Sequence, residues 1–123
     1  MILGTIENGL HPRVRLKLES PVGPLDFKAL FDSGFDGQVA LPYFAADCLH
    51  LELARFVEVT YANGQMVEEV VCHGELHWHH ELRAVEIILS DDDERAIGTD
   101  LLQGCFVTMD FIKNVLRIDK PAA

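Results

Sequence analysis

Basic residues are scarce in this chain: 10 lysines and arginines stand against 20 aspartates and glutamates, a formal charge of −10. A nucleic-acid partner needs a basic face, so the balance argues against one. It argues against an anionic membrane surface for the same reason. There are three cysteines, Cys48, Cys72 and Cys105, widely spaced and without a CxxC pair. That is a poor disulfide framework, and the expected role of each is a small buried hydrophobe. No apolar run approaches the ~20 residues that cross a bilayer. Met1-Ile2-Leu3-Gly4-Thr5 also lacks the basic and long apolar regions of a signal peptide. A reducing cytoplasm is the expected location.

What the chain does contain is enough apolar material, 49% of 123 residues, for one domain with one modest core. Residues 1–123 are read as a single domain. Arg13–Glu19 alternates polar and apolar residues with period two, which predicts a half-buried strand. After the Ser20-Pro21-Val22-Gly23-Pro24 turn, Leu25–Phe31 returns as its hairpin partner. Gln38–Leu41 predicts a short strand. Pro42 through Leu51 predicts a helix with Phe44, Ala45, Cys48 and Leu49 on one face, since proline suits a first turn. Phe56–Tyr61 and Met66–Trp78 predict a second hairpin turning at Ala62-Asn63-Gly64-Gln65, because Asn-Gly tolerates the positive φ of tight turns. Arg83–Leu89 is a further strand, and Ser90–Arg95 an acidic, solvated loop. Ala96–Leu102 leads into a short helix, and Val107–Phe111 with Val115–Ile118 close a last hairpin.

The chemistry concentrates at Asp32-Ser33-Gly34, between the apolar strands Ala29–Phe31 and Gln38–Pro42. An ionised acid at the end of a buried strand is expensive to desolvate, by several kcal/mol (roughly, before pairing), and such placement points to a chemical use. A hydroxyl and a glycine follow it directly. The blander reading is an Asx turn, in which the side chain bonds its own backbone. The motif occurs once, so a paired-carboxylate mechanism would take its second acid from another molecule.

Three elements then stand in order: Leu30-Phe31-Asp32-Ser33-Gly34-Phe35-Asp36-Gly37, the Asn63-Gly64 hairpin, and Ile97-Gly98-Thr99-Asp100-Leu101-Leu102 followed by Val107-Thr108-Met109-Asp110-Phe111. The series resembles the retropepsin-like aspartic peptidases, most closely the small single-domain bacterial members. The resemblance implies an all-β closed barrel with one or two short helices. It also implies a symmetric homodimer and endopeptidase activity on peptide or protein substrates at the interface. Asp32 would be the catalytic carboxylate, supported by Ser33, which would bond across the interface, and by Gly34. Phe35 and Asp36 would line the substrate groove, and Ala62, Asn63, Gly64 and Gln65 would form the flap over bound peptide. Ile97 and Gly98 would pack beneath the loop, and Asn114–Asp119 with the N-terminal segment would form the interface. Phe35 replaces the alanine usual in retroviral members, and Thr99 replaces their frequent arginine. No metal or cofactor is needed. The alternative is a non-catalytic domain of this kind that binds peptide or dimerises without turnover.

Other chemistry fits less well. His77 and His79 would share a strand face, a reach suited to two zinc ligands, but no third ligand stands at a recognisable spacing, and a polar strand end is preferred. No G-x-S-x-G elbow surrounds Ser33, and no cysteine carries a His partner motif. The run Asp91–Glu94 lacks the alternating ligands and distal Glu of a calcium loop.

Overall fold

Alternation of apolar and polar residues is realised as burial. In β2 (His11–Glu19), Val14, Leu16 and Leu18 point inward while Arg15 and Lys17 face water. The computed structural model describes residues 1–121. Within them β1 (Ile2–Glu7), β2 and β3 (Leu25–Phe31) lead to β4 (Val39–Pro42) and helix α1 (Tyr43–Leu49). Two long strands follow, β5 (Glu52–Thr60) and β6 (Met66–Trp78), and then β7 (Glu81–Ser90). The two-residue β8 (Ala96–Ile97) precedes the hairpin β9 (Phe106–Asp110) and β10 (Val115–Asp119). No described helix is long and apolar enough to cross a membrane.

The strands form one sheet in the order β5-β6-β7-β4-β8-β3-β2-β1-β10-β9. An additional pairing of β2 with β6, Leu18 opposite Leu76, folds the sheet back on itself. The pairings thus run in a ring through β2, β3, β8, β4, β7 and β6 around Leu18, Leu41, Leu76, Ile87, Ile97 and Leu101, all fully buried. Burying each such side chain contributes about 1.5–3 kcal/mol. Two of the contacts in the ring are parallel, β3 with β8 and β4 with β7, and both converge on the segment around Asp32.

Three expectations change. The helix is shorter than 42–51 and buries Ala45 and Leu49 while exposing Phe44 and Cys48. It ends at His50 in the left-handed conformation, φ 52°. Ala96–Leu102 does not become a helix. Ile97 is held as a strand by both Phe31 and Val39, and the following residues form successive turns, with Leu102 N–H donating to Thr99 and Cys105 N–H to Leu102. β1, an element the sequence pattern did not mark, pairs with β10 through Ile2–Thr5 and with β2 through Thr5–Glu7. β10 therefore has neighbours on both sides, β1 and β9. The sheet's ends are β5 and β9.

Candidate active site

Asp32 sits where β3 ends. Its position is fixed from below, because the last residue of β3, Phe31, pairs with Ile97, and the Ile97 carbonyl accepts the Asp32 N–H at 3.1 Å. One residue pair earlier the Leu30 N–H donates to the Arg95 carbonyl at 2.8 Å. Above this seat the chain turns sharply. The Phe35 N–H donates to the Asp32 carbonyl at 3.1 Å, and the Gly34 N–H donates to Asp32 Oδ1 at 2.9 Å. This is the Asx geometry of the blander reading, and it coexists with an available acid. Asp32 is exposed, and Oδ2 makes no hydrogen bond among the described residues. Ser33, Gly34 and Asp36 are exposed beside it.

The second half of the loop is clamped by residues 98–100. Phe35 O accepts the Thr99 N–H at 2.9 Å and the Thr99 hydroxyl at 3.4 Å. Gly37 O accepts the Asp100 N–H at 3.2 Å, and the Gly98 N–H reaches the Gln38 carbonyl at 3.1 Å. Such close approach requires glycine at 98. A Cβ there would lie 2.4 Å from Phe35 O and 2.5 Å from Gly37 O, inside any permissible contact. The half-buried Phe35 ring lies against Gly98 and Gly37. Thr99 engages the Phe35 carbonyl and leaves Asp36 free of that contact.

The Ala62–Gln65 turn closes β5 on β6 as expected, with Gly64 alone at positive φ, +83°. Asn63 works through its side chain instead, Oδ1 accepting the Gln65 N–H at 2.9 Å, while Tyr61 and Gln65 close the loop backbone to backbone. These bonds are internal to the turn. At its base the Tyr61 hydroxyl donates to Glu69 Oε1 at 3.3 Å. Loss of solvent around the phenol, then the charges of Glu69 and Asp91, raise its pKa above the ordinary value.

A chain with this arrangement has a solved counterpart. The fold is similar to that of EIAV protease in complex with the inhibitor HBY-793, with a TM-score of 0.58 and 19% identity, covering 80% of this chain and 91% of that chain. The fold is retropepsin-like. No protein-family model matches the sequence, and no curated protein matches it.

Around this site the structure adds a contact that sequence reasoning missed. The 90–95 segment is not simply solvated, because Glu94 pairs with Arg13 at 2.5 Å. Arg13 also pairs with Glu7 at 2.9 Å, and Glu7 with Lys28 at 2.6 Å. The Lys28 hydrogen bond, more than any other influence, holds the Glu7 carboxyl below its usual range. Only the 81-residue separation of Arg13 and Glu94 hid this network. The histidines do not converge. His77 Nε2 meets Glu19 at 2.7 Å, whereas His79 and His80 form the β6–β7 turn with φ of 50° and 66°. No three metal-ligating side chains come together among the described residues. Of the cysteines, Cys72 is buried as expected, Cys105 is half-buried 3.9 Å from His79 Nε2, and Cys48 is exposed.

Proposed function

We propose that the chain is an aspartic-type endopeptidase whose active site forms when two copies bring their Asp32 loops together. The observation that carries this reading is the Asp32 seat: an exposed carboxylate with one oxygen oriented by Gly34 N–H, on a loop fixed from beneath by Ile97 and Gly98. The likeness of the fold to a retroviral protease supports it. A groove of about 670 Å³ in the single chain is lined by Glu19, Gln38, Glu52, His73 and Glu86 and leaves Asp32 out.

The chemistry follows from two carboxylates at close range. They do not readily both ionise, so one retains a proton and the pair titrates as a unit. The ionised carboxylate removes a proton from a water whose oxygen attacks the scissile carbonyl carbon. The protonated one donates to the carbonyl oxygen, giving a neutral tetrahedral gem-diol. Collapse breaks the C–N bond as the leaving nitrogen takes up a proton from the dyad. Ser33 would tie one loop to the other, and Gly34 would let the peptide backbone approach. Phe35 and Asp36 would border the groove, and Ala62, Asn63, Gly64 and Gln65 would close over the peptide.

Cleavage of a peptide library across acidic to neutral pH tests this. Wild type should cleave and be blocked by a pepstatin-like mimic of the tetrahedral species. Asp32→Asn should lose at least about a thousandfold in kcat/KM while keeping its fold and oligomeric state. Unchanged turnover in Asp32→Asn would refute the assignment.

A further inference from the structure

The His77-Trp78-His79-His80 run has no part in the site described above. Its histidines do not meet at one point, but the fold brings them to one cavity. β1 leaves β2 at Arg13 and β6 joins it at Leu18, so from Val14 to Lys17 that side of β2 has no strand partner among the described residues. Carried on past Leu18 and Leu76, the β2–β6 register sets Lys17 level with His77 and Arg15 level with His79. A cavity of about 430 Å³ lies there, lined by Arg15, Lys17, His77, His79 and His80 with the apolar Leu16 beside them.

We propose that this cavity binds a phosphate-type dianion, held by Arg15, Lys17, His79 and His80. Three observations support that ligand. First, its cations are idle. In a chain of net charge −10, Arg15 and Lys17 make no ion pair among the described residues, whereas Arg13, Lys28, Arg55, Arg117 and Lys120 each do. Arg15 even stands opposite Lys28 in the β2–β3 register, a like-charge pairing that costs stability. One acid, Asp26, lines the cavity, opposite Lys17 in register but not ion-paired with it. Second, the β6–β7 turn is costly as it stands. Trp78 pairs with Glu81, leaving His79 and His80 as a two-residue loop with φ of 50° and 66°. Such a loop needs positive φ at both positions, which Asn-Gly meets with less strain. The imidazoles are therefore kept against the preference of the turn, and the His79 ring meets the Trp78 ring edge-on, centroids 5.0 Å apart. Third, the chemistry is that of donors. A guanidinium fork, an ammonium and imidazolium N–H groups match phosphate oxygens and repel a metal cation. His77 is already engaged with Glu19 at 2.7 Å. Burial, then the Met1 amino group and Lys120, hold His79 below its ordinary pKa, with Asp119 opposing them and His80 adding to them. The Cys105 thiol is also near its ring, at 3.9 Å. A bound dianion offsets those positive neighbours, so binding takes up a proton.

Calorimetric titration of the full chain with phenyl phosphate, inorganic phosphate, sulfate and benzoate tests the site without reference to catalysis. Wild type should bind phenyl phosphate one to one. Arg15→Met and Lys17→Met should each weaken that binding about tenfold or more, as loss of a charge-assisted hydrogen bond does. The double substitution His79→Asn/His80→Gly is the sharper variant, because it relieves the turn while removing the imidazoles. It should melt no lower than wild type, yet bind sulfate about fivefold less tightly or worse at about pH 6. Sulfate stays a dianion throughout, so its binding to wild type should be tighter at about pH 6 than at about pH 8. A wild type that binds none of the anions at about 10 mM would overturn the proposal. So would affinity unchanged in both Arg15→Met and His79→Asn/His80→Gly, or benzoate bound more tightly than phenyl phosphate. Equal affinity for phosphate and phenyl phosphate would make the free anion the occupant, and preference for the ester would make it an organic phosphate; both uphold the site.

Discussion

At the scale of single residues, Gly98 and Asp32 divide the labour. Gly98 makes the seat possible, because carbonyls 35 and 37 occupy the space any side chain would take. Gly98→Ala should lower stability by about 1–3 kcal/mol, as overpacking of a closed contact does. It should also reduce turnover by displacing the loop, and chemical denaturation with wild type in parallel checks the first expectation. Asp110 gives a prediction in pH. Its carboxyl is held below its ordinary value first by the Lys113 N–H, then by the Ile112 N–H. A depressed folded-state pKa means the stabilisation is present above the unfolded value, about 3.9, and is lost as pH falls through the folded value. Asp110→Ala should therefore be less stable than wild type at neutral pH, with the difference vanishing in acid. Thermal melts from about pH 2 to about pH 7, which spans the carboxylate range on both sides, would show it. The exposed place of Asp32, Ser33 and Gly34 at the end of β3 was legible in the sequence, because an acid closing an apolar strand is conspicuous. The packing of Phe35 was not: nothing local says that its ring lies against Gly37 and Gly98.

Among the elements, β8 is the smallest and the most consequential. Its two residues pair with both β3 and β4, and the 90–95 segment feeds it. Arg13 holds that segment through Glu94. Arg13→Met should change global stability by less than about 1 kcal/mol, as a partly exposed pair would. It should nevertheless speed amide exchange at Leu30 and Asp32, whose N–H groups donate to the Arg95 and Ile97 carbonyls. Exchange at those two amides measured by NMR decides it, and wild-type protection in the variant would contradict the clamp. The strictly alternating β2 could be read from sequence, as could the Asn63-Gly64 hairpin. β1 could not, since exposed Leu3 and inward Gly4 blur its period. The turns after Gly98 read as a helix because Leu101 and Leu102 are apolar and adjacent. Tertiary burial of both leucines, with Ile97 already committed to two strands, overrode that pattern.

For the whole molecule, composition and alternation sufficed for an all-β domain, and the order of three motifs sufficed for a retropepsin-like fold. Which edge stays open was beyond the sequence, because it depends on where β1 and β10 find partners a hundred residues apart. The central claim is that catalysis needs one Asp32 from each of two copies. Mixing wild type with Asp32→Asn at fixed total concentration, after allowing subunits to exchange, tests it most directly. If both carboxylates are required, activity follows the square of the wild-type fraction, and an equal mixture retains about a quarter of the full rate. Activity proportional to the wild-type fraction, about half at equal mixing, would mean that each chain works alone and would contradict the account.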